Sequence, residues 1–265
     1  MKYSVLIIVT TLLLSCCAGD KDGQQAANQF AEIEHLVNSG KYNAAVLALD
    51  SFHLRFPKQI ELRRRALTLE DSILRQQNRR TVAYCDSLMA VYAQKRDSMS
   101  SLFLLEKDAK YQIIGSFIYK KQIKNTYGTE IKVSVDEKND FHLVKYNFGI
   151  KNLPAFLTVA AADLYASTDT LALGSEAFHS FEADGSIVES VTFSNAQAAK
   201  FAAFVKKFVD KNLTVTQHGK KNINHILSEN EKQSIAITYT FWKLKKEIQN
   251  LENEKQKALK KLGEI

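Results

Sequence analysis

Apolar residues recur at helical spacing at both ends of the chain and at alternate positions in its middle. Residues 28–61 have a helical pattern, and residues 62–107 lack both glycine and proline, which predicts one long helix. Residues 228–265 repeat a seven-residue apolar pattern that predicts a second long helix. Two such helices most simply pair antiparallel as a stalk, with the residues between them at its tip.

The two long helices carry their apolar residues on heptad lines. On the first helix, one line is Leu67, Leu74, Thr81, Leu88 and Leu102, and the other is Cys85, Tyr92 and Met99. The second helix begins at a capping box, in which Ser228 precedes Glu231 by three residues. Its a and d positions are Ile237, Phe241, Leu244, Ile248, Leu251, Ala258 and Leu262.

The middle segment, residues 108–227, switches to the period of two that is typical of strands. Two hairpins are predicted, one joining 131–135 to 141–148, and one joining 177–181 to 187–193 around Asp184-Gly185. Ser194 then caps a helix whose apolar stripe is Ala198, Phe201, Val205 and Phe208, and residues 213–216 predict a last strand. We therefore expect an α+β fold, with long coiled-coil-like helices flanking an antiparallel sheet domain with one packed helix.

The amino terminus has the form of a secretory signal. A single lysine precedes an apolar run from Val5 to Leu14, which is too short to span a bilayer. The run ends in Leu13-Leu14-Ser15-Cys16, which resembles the lipobox of bacterial lipoproteins. The resemblance implies cleavage of residues 1–15, lipid on Cys16 and, since Cys17 is not aspartate, sorting to the outer membrane. Residues 16–27 would form a flexible tether. The alternative is an ordinary signal peptide with an incidental cysteine.

The first helical segment resembles one tetratricopeptide unit. The residues that carry the resemblance are Gly40, Tyr42, Ala45, Leu49, Phe52 and Pro57. Gly40 permits a tight turn between two helices, Ala45 lets them approach closely and Pro57 stops the second helix. The pattern does not recur, and stacked repeats need roughly three units to bury a core. Residues 28–61 are therefore expected to form a helical hairpin, with no peptide-binding groove implied.

The order of these parts resembles that of many envelope lipoproteins of Bacteroidota. The resemblance implies O-glycosylation at Asp followed by Ser or Thr and then a small or aliphatic residue. The candidate acceptors are Ser72, Ser87, Ser98 and Thr170. The alternative is that these Asp-Ser and Asp-Thr pairs only decorate solvent-facing surfaces.

No catalytic or cofactor motif emerges from the sequence. The histidines lack metal-site spacing; His142 and His179 fall in strand patterns and could meet in space, but structural histidines are commoner than metal ligands. Cys85 lies on an apolar helix line, where an inert buried thiol is expected. Ser116, Ser175 and Ser186 lack the Gly-x-Ser-x-Gly elbow. The ten glycines are not clustered into a phosphate loop. We therefore predict no metal, no cofactor and no enzymatic activity, although two distant carboxylates could still converge.

The net charge of +7 would suggest nucleic acid in a cytoplasmic protein. Behind a signal peptide, the accessible anions are instead lipid phosphates, lipopolysaccharide and acidic glycans, so no nucleic-acid partner is predicted. A solvated coiled-coil face explains the charge better than a dedicated anion site does. The leading prediction is a lipid-anchored envelope protein with a non-enzymatic binding or assembly role, facing the periplasm or the cell surface. The alternatives are a glycan-binding or glycan-processing accessory protein and a periplasmic chaperone-like factor. A glycan role predicts outward aromatic side chains, with candidates Tyr111, Phe117, Tyr119, Tyr146 and Phe148.

Overall fold

The computed structural model describes residues 21–264 except for 109, 111, 123–129, 150, 151, 153, 173 and 184. The chain is a mixed α+β protein with antiparallel sheets, as the sequence predicts. It divides into two compact units. The first comprises the chain up to Asp86 together with Asn253–Ile265, and the second is Ser87–Glu252.

The first unit is helical. Its elements are α1 (Lys21–Asn38), α2 (Tyr42–Arg55), the beginning of α3 (Ile60–Ser100) and the last turns of α5 (Glu229–Leu262). Gly40 has φ +71° in the turn between α1 and α2, a backbone conformation that glycine adopts without a steric penalty. The core contains Ala26, Phe30, Ile33, Ala45, Leu49, Phe52, Phe56, Ala66 and Ile73. The predicted helical hairpin is therefore present, and Ala45, Leu49 and Phe52 are buried in its core.

Two sequence predictions for this unit are wrong. Helix α1 already includes residues 21–27 of the predicted flexible tether, because Ala26 is buried against the same core as Phe30. On α3, Leu67 and Leu74 are 57% and 44% exposed, so their heptad line is not the packing face. The buried residues of this helix are instead Ala66, Ile73 and Cys85, of which the first two belong to the same core as the helical hairpin.

The end of α5 packs against α3 within the first unit. Lys255 Nζ lies 2.7 Å from Asp86 Oδ1, and the neighbouring Cys85 is fully buried. Ala258 and Leu262 are also buried, as their heptad positions predict. The two long helices therefore contact each other within a single chain in this unit.

Among the residues that the structure describes, the second unit has ten strands in two antiparallel sheets. The strands are β1 (Phe103–Glu106), β2 (Ser116–Tyr119), β3 (Glu130–Asp136), β4 (Phe141–Phe148), β5 (Phe156–Ala161), β6 (Leu164–Ser167), β7 (Phe178–Ala183), β8 (Ser186–Ser194), β9 (Thr214–His218) and β10 (Asn222–Ile226). The larger sheet has the order β1-β2-β3-β4-β8-β7, and the smaller has the order β10-β9-β5-β6. The sequence predicted one sheet and did not reveal the second.

Helices α4 (Ala196–Lys207) and α5 cover the core of the second unit. Phe201 and Val205 of α4 are fully buried in the same cluster as residues of both sheets. The ring of Phe241 on α5 stacks on Phe103, with centroids 4.3 Å apart, and Trp242 lies 5.5 Å from Phe141. The first half of α5 is therefore a sheet-covering helix, whereas the sequence assigned the whole helix to a stalk.

The start of α5 follows the sequence prediction. Glu231 N donates to Ser228 Oγ at 3.2 Å, and Glu231 Oε2 accepts from Ser228 N at 2.9 Å, which is the reciprocal pattern of a capping box. Both hairpins are confirmed as well. Asn139 adopts φ +69° in the turn after β3, and Gly185 adopts φ +73° between β7 and β8.

Helix α3 ends at Ser100, although the sequence predicted a helix as far as residue 107. Strand β1 begins at Phe103 because its backbone pairs with β2 and its ring packs against Tyr119 and Phe241. The last predicted strand, 213–216, is likewise followed by β10, which pairs with β9 along five residues. The sequences of β1 and β10 both lack the alternation of apolar and polar residues that predicts a strand. Strand β10 is a mostly polar strand at the edge of its sheet.

Candidate functional site

The larger sheet has one face against the core and a second face that is only partly buried. Along β4 every second residue is buried, and His142, Val144, Tyr146 and Phe148 lie half-buried on the other side. We call this side the outer face. Register extends it to Thr192 and Ser194 of β8 and to His179 and Phe181 of β7, because directly opposed residues of antiparallel strands share a face. The outer face therefore presents side chains from several strands to solvent.

A cleft of about 660 Å³ lies at one end of the outer face. His142 of β4 and Thr192 and Ser194 of β8 form one wall. The remaining polar groups come from the segment before β7, from β7 and from α4, and they are Thr170, Ser175, Glu176, His179 and Gln197. The Ser175 hydroxyl is buried and has no hydrogen-bond partner in the described part of the chain. The lining is therefore rich in hydroxyl, imidazole and amide groups.

His142 links a serine and an aspartate at the edge of this cleft. Its Nδ1 lies 3.0 Å from Ser194 Oγ, and its Nε2 lies 3.4 Å from Asp136 Oδ2. The other Asp136 oxygen accepts a hydrogen bond from Asp140 N at 2.8 Å. An ionised Asp136 favours the tautomer with the proton on Nε2, which leaves Nδ1 to accept from the Ser194 hydroxyl.

Local backbone geometry holds these groups in place. Asn195, between β8 and α4, has φ +48° and ψ −118°, which is a strained conformation for a residue other than glycine. Its side chain donates to Asp140 Oδ1 at 2.7 Å and accepts from Phe141 N at 2.9 Å. Asn195 therefore ties the end of β8 to the turn between β3 and β4, which directly follows Asp136.

The predicted capping role of Ser194 is wrong. The residue at the cap of α4 is Asn195, and no side chain makes a cap hydrogen bond there. The Ser194 hydroxyl instead contacts His142, and Ser194 N donates to Gln197 Oε1 at 3.0 Å. Ser194 contacts His142 rather than capping α4, because the pairing of β4 with β8 places His142 directly opposite it.

Aromatic side chains lie farther along the outer face, outside the lining of the cleft. Tyr146 and Phe148 are half-buried there, and Phe181 is 49% exposed. Lys132 Nζ lies 5.3 Å from the centroid of the Tyr146 ring. The sequence did not single out Phe181, since only register places it beside Phe148 through Val188.

The other aromatic candidates from the sequence do not join this row. Phe117 packs at 5.8 Å from the Phe241 ring, and Tyr119 is buried in the core. Tyr111 lies outside the described residues. Two of the five predicted aromatic residues therefore lie on the outer face.

The opposite, inner face of the same sheet carries a buried polar group of side chains. Lys145 is 1% exposed, and its Nζ has no hydrogen-bond partner in the parts of the chain that the structure describes. Burial lowers the pKa of Lys145 to about 8, opposed by the charges of Glu231 and Glu130. Beside it on β4, Asn147 donates to Asn152 O at 3.0 Å.

Two carboxylates border this buried group. Glu189 Oε2 accepts from Asn152 N at 2.7 Å. Burial alone would raise the pKa of Glu231, but hydrogen bonds from His225 and Ser228 lower it to about 2. Glu231 also accepts from Ile131 N at 3.2 Å, so its ionised form fastens the start of α5 to β3.

The residues that the sequence proposed as modification sites are dispersed. Cys16, the predicted lipidation site, lies outside the described residues. Ser72, Ser87 and Ser98 are exposed on α3, and Thr170 is exposed at the cleft. The structure brings His142 and His179 to the same cleft, where His142 contacts Ser194. The sequence singled out both histidines because each falls in a predicted strand.

The remaining expectations concern metals and cysteine. Within residues 21–264, outside the gaps noted above, no group of three or more potential ligands is arranged to hold a metal ion. Cys85 is buried as predicted, and burial raises the pKa of its thiol, with the nearby charges of Glu254 and Asp86 acting in the same direction. This thiol therefore remains protonated and shielded from solvent.

The helices of the described residues include none with the length and apolar character needed to cross a bilayer. Models of known protein families, curated proteins and solved structures contain no significant match to this chain.

Proposed function

We propose that this chain is a membrane-anchored envelope lipoprotein whose second unit binds a hydroxyl-rich ligand of the glycan class on its outer face. One observation carries the binding proposal: aromatic rings and a cleft lined with polar groups share the outer face. Tyr146, Phe148 and Phe181 offer apolar surfaces, and Ser194, Thr192 and His142 offer hydrogen bonds at the same face. Sugars combine apolar C–H faces with many hydroxyls, and protein sites match both properties in this way.

The binding proposal is tested by screening the full chain in detergent against an array of soluble and immobilised oligosaccharides. For a ligand that binds, Phe181→Ala is expected to weaken affinity by about three- to tenfold, as loss of one aromatic contact would. The matched control is Tyr165→Ala, since Tyr165 is 73% exposed on the edge strand of the other sheet. Equal weakening by both substitutions, or no binding to any oligosaccharide, would contradict the proposal.

The anchor is proposed from the lipobox-like sequence that ends at Cys16. Lipid on this cysteine would hold the chain at a membrane more firmly than one acyl chain, which binds only marginally. In cells fed labelled palmitate, the wild-type chain should incorporate label and partition into detergent. Cys16→Ser should lose both properties, and Cys17→Ser is the control. Unchanged processing of Cys16→Ser would refute the anchor.

We also propose O-glycosylation of at least one of Ser72, Ser87, Ser98 and Thr170. All four residues are exposed, as a modifying enzyme requires. The intact mass of the chain isolated from its native envelope should exceed the polypeptide mass by hexose-sized increments. Those increments should disappear when all four residues are replaced by alanine. A mass equal to that of the lipidated polypeptide alone would exclude the modification.

A chaperone-like role is a second candidate, supported by an apolar line on the first unit. Ile60, Leu67 and Leu74 lie seven residues apart on α3 and remain exposed. Such a line could hold apolar segments of an unfolded client. If it does, Leu67→Glu should reduce suppression of aggregation of a reduced, unfolded client in light scattering, and the exposed neighbour Gln76→Glu should not. Equal suppression by the two variants would remove this candidate.

A further inference from the structure

We propose that the cleft is a hydrolytic centre in which Ser194 is the nucleophile, His142 is its general base and Asp136 positions the imidazole. The substrate class is a carboxylic ester. The ester's alcohol would be the hydroxylated ligand proposed above, so the substrate class rests on the proposed function, whereas the identity of the nucleophile does not.

The contact between Ser194 and His142 has the geometry that base catalysis requires. The distance of 3.0 Å between Ser194 Oγ and His142 Nδ1 lies within the range over which a hydroxyl proton can pass to a base. The two residues face each other across β4 and β8, so rigid strands fix their separation. Both line the cleft, and both are half-buried rather than enclosed in the core.

Asp136 supplies the third part of the arrangement. Its Oδ2 lies 3.4 Å from His142 Nε2, while its Oδ1 is held by Asp140 N. The contact with Nε2 is longer than an optimal hydrogen bond, as catalytic contacts often are before a substrate binds. The side chain of Asp136 is only 13% exposed, so its charge acts on the imidazole with little competition from water.

The relation of the ring to its partners differs from that in serine proteases, where Nε2 faces the serine and Nδ1 faces the aspartate. In this chain His142 Nδ1 faces the serine and His142 Nε2 faces the aspartate. The chemistry is equivalent because the imidazole is conjugated, so a proton accepted at one nitrogen is balanced by the donor bond at the other. Such a site is recognised by geometry and roles rather than by residue order.

The amino-terminal end of α4 can stabilise the negative charge that develops on the substrate. Ser194 directly precedes the cap residue Asn195, and no side chain occupies the cap. The first backbone N–H groups of the twelve-residue helix therefore lie at the positive end of its dipole, close to the serine in sequence. The strained backbone of Asn195 produces this sharp change from strand to helix.

The reaction consumes one ester and one water. The Ser194 oxygen attacks the carbonyl carbon while its proton passes to His142 Nδ1. The bond to the alcohol oxygen breaks, and the alcohol leaves with that proton. Water then attacks the acyl group on Ser194 and gives a proton to His142. The carboxylic acid departs as the serine oxygen recovers this proton, which restores the starting state.

A structural role for the same contact would be to join β4 to β8. The chain offers a control for this alternative, because Ser134 of β3 faces His142 from the other side in register. Replacing Ser134 also removes a hydroxyl beside His142, but not the one that contacts Nδ1. A catalytic role therefore predicts that the two serines differ in reactivity, whereas a structural role does not.

The experiment treats the full chain with a fluorophosphonate probe and locates the label by peptide mass spectrometry. The Ser194 oxygen displaces fluoride from phosphorus in this reaction, so no ester or glycan is needed. We expect label on Ser194, none after Ser194→Ala, and an unchanged rate after Ser134→Ala. His142→Gln should slow labelling by roughly 100-fold or more, since general base catalysis contributes about that much. Hydrolysis of p-nitrophenyl acetate by the same four proteins should follow the same order.

The positioning role of Asp136 is tested in the same assay. Asp136→Asn should slow labelling of Ser194 while the far-ultraviolet circular dichroism and melting temperature show that the variant is folded. Absence of label from Ser194 in the folded wild-type chain, or labelling that survives His142→Gln at full rate, overturns the inference. Oligosaccharide binding that Phe181→Ala weakens would stand in either case, so the two proposals can fail separately.

Discussion

The two faces of strand β4 differ in what they contribute to the molecule. On the inner face, Phe141 and Leu143 are completely buried. On the outer face, His142 and Val144 are half-buried, and His142 contacts Ser194 at the cleft. Because successive residues of a strand point to opposite sides, one eight-residue segment serves both the core and the candidate site. Residues that stabilise the core and residues that line the candidate site are therefore adjacent in sequence.

The inner face is itself divided. Its apolar half, at Phe141 and Leu143, packs against α4, α5 and the smaller sheet. Its polar half begins at Lys145 and Asn147, both of which are buried. Buried polar groups cost free energy when their hydrogen bonds are incomplete, so this half contributes less stability than its burial suggests.

The largest effect is expected from the apolar half. Phe141→Ala should lower the free energy of unfolding by about 3 to 5 kcal/mol, because it removes a fully buried ring and leaves a cavity beside Trp242. Urea denaturation measures the change. Phe181→Ala on the outer face is the control and should cost much less. If the two substitutions had equal costs, the separation between the faces would be disproved.

Replacing a residue of the polar half should raise, rather than lower, the free energy of unfolding. The fall of the Lys145 pKa to about 8 reflects a burial cost of about 3 kcal/mol while the side chain is charged. Lys145→Met removes this cost, so at pH 7 the variant should be more stable than the wild type by up to that amount.

The pH dependence identifies the cause. Below pH 8 Lys145 is charged in both folded and unfolded chains, and the cost is complete. Between pH 8 and about 10.5 the unfolded chain binds the extra proton, so the stability of the wild type rises toward that of Lys145→Met. The control is Lys138→Met, at an exposed turn residue. A stability difference that stays constant over this range would show that packing, rather than charge, is responsible.

A somewhat smaller loss is expected when Glu231 is neutralised. Its pKa of about 2 in the folded chain means that its ionised form contributes about 2 to 3 kcal/mol above pH 4.5. Glu231→Gln should remove this contribution at pH 7. The difference from the wild type should shrink as the pH falls from 4.5 toward 2, where the carboxylate gains its proton in both states.

The control for this titration is Glu252→Gln, an exposed residue of the same helix. Urea denaturation at several pH values would measure both variants. A loss for Glu231→Gln that persists unchanged at pH 2 would indicate that the hydrogen-bond geometry, rather than the charge, fastens α5 to β3.

The smallest change in stability is expected when a hydroxyl replaces one methyl group on either face. Val133→Thr places it on the buried side of β3 and should cost about 1 to 2 kcal/mol. Val144→Thr makes the same change on the outer face and should stay within about 0.5 kcal/mol of the wild type. Both substitutions keep a β-branched side chain, so backbone preference cancels. Equal costs would mean that solvent does not reach the outer face.

The sequence predicted those features that depend on local chemistry. The hairpin at Gly185 and the capping box at Ser228 follow from the residues themselves. Alternation also placed His142 and His179 in strands. The division of β4 was readable in principle, since Lys145 and Asn147 continue the parity of Phe141 and Leu143 with polar residues.

The features that escaped prediction depend on distant partners. Ser194 is 52 residues from His142 in sequence, and only strand register makes them neighbours. Strand β10 is polar and becomes a strand because β9 pairs with it. Helix α3 ends early because Phe103 finds a buried position against Phe241. No local pattern contains this information.

The first unit consists of two stretches of chain separated by the whole of the second. Any process that delivers the polypeptide from its amino end, whether synthesis or export, releases α1 and α2 long before the turns of α5 that bury Cys85 and bind Asp86. The sheet unit has all of its residues earlier. Maturation is therefore expected to proceed out of sequence order, with the turn of α3 around Cys85 the last part of the first unit to become protected from proteases.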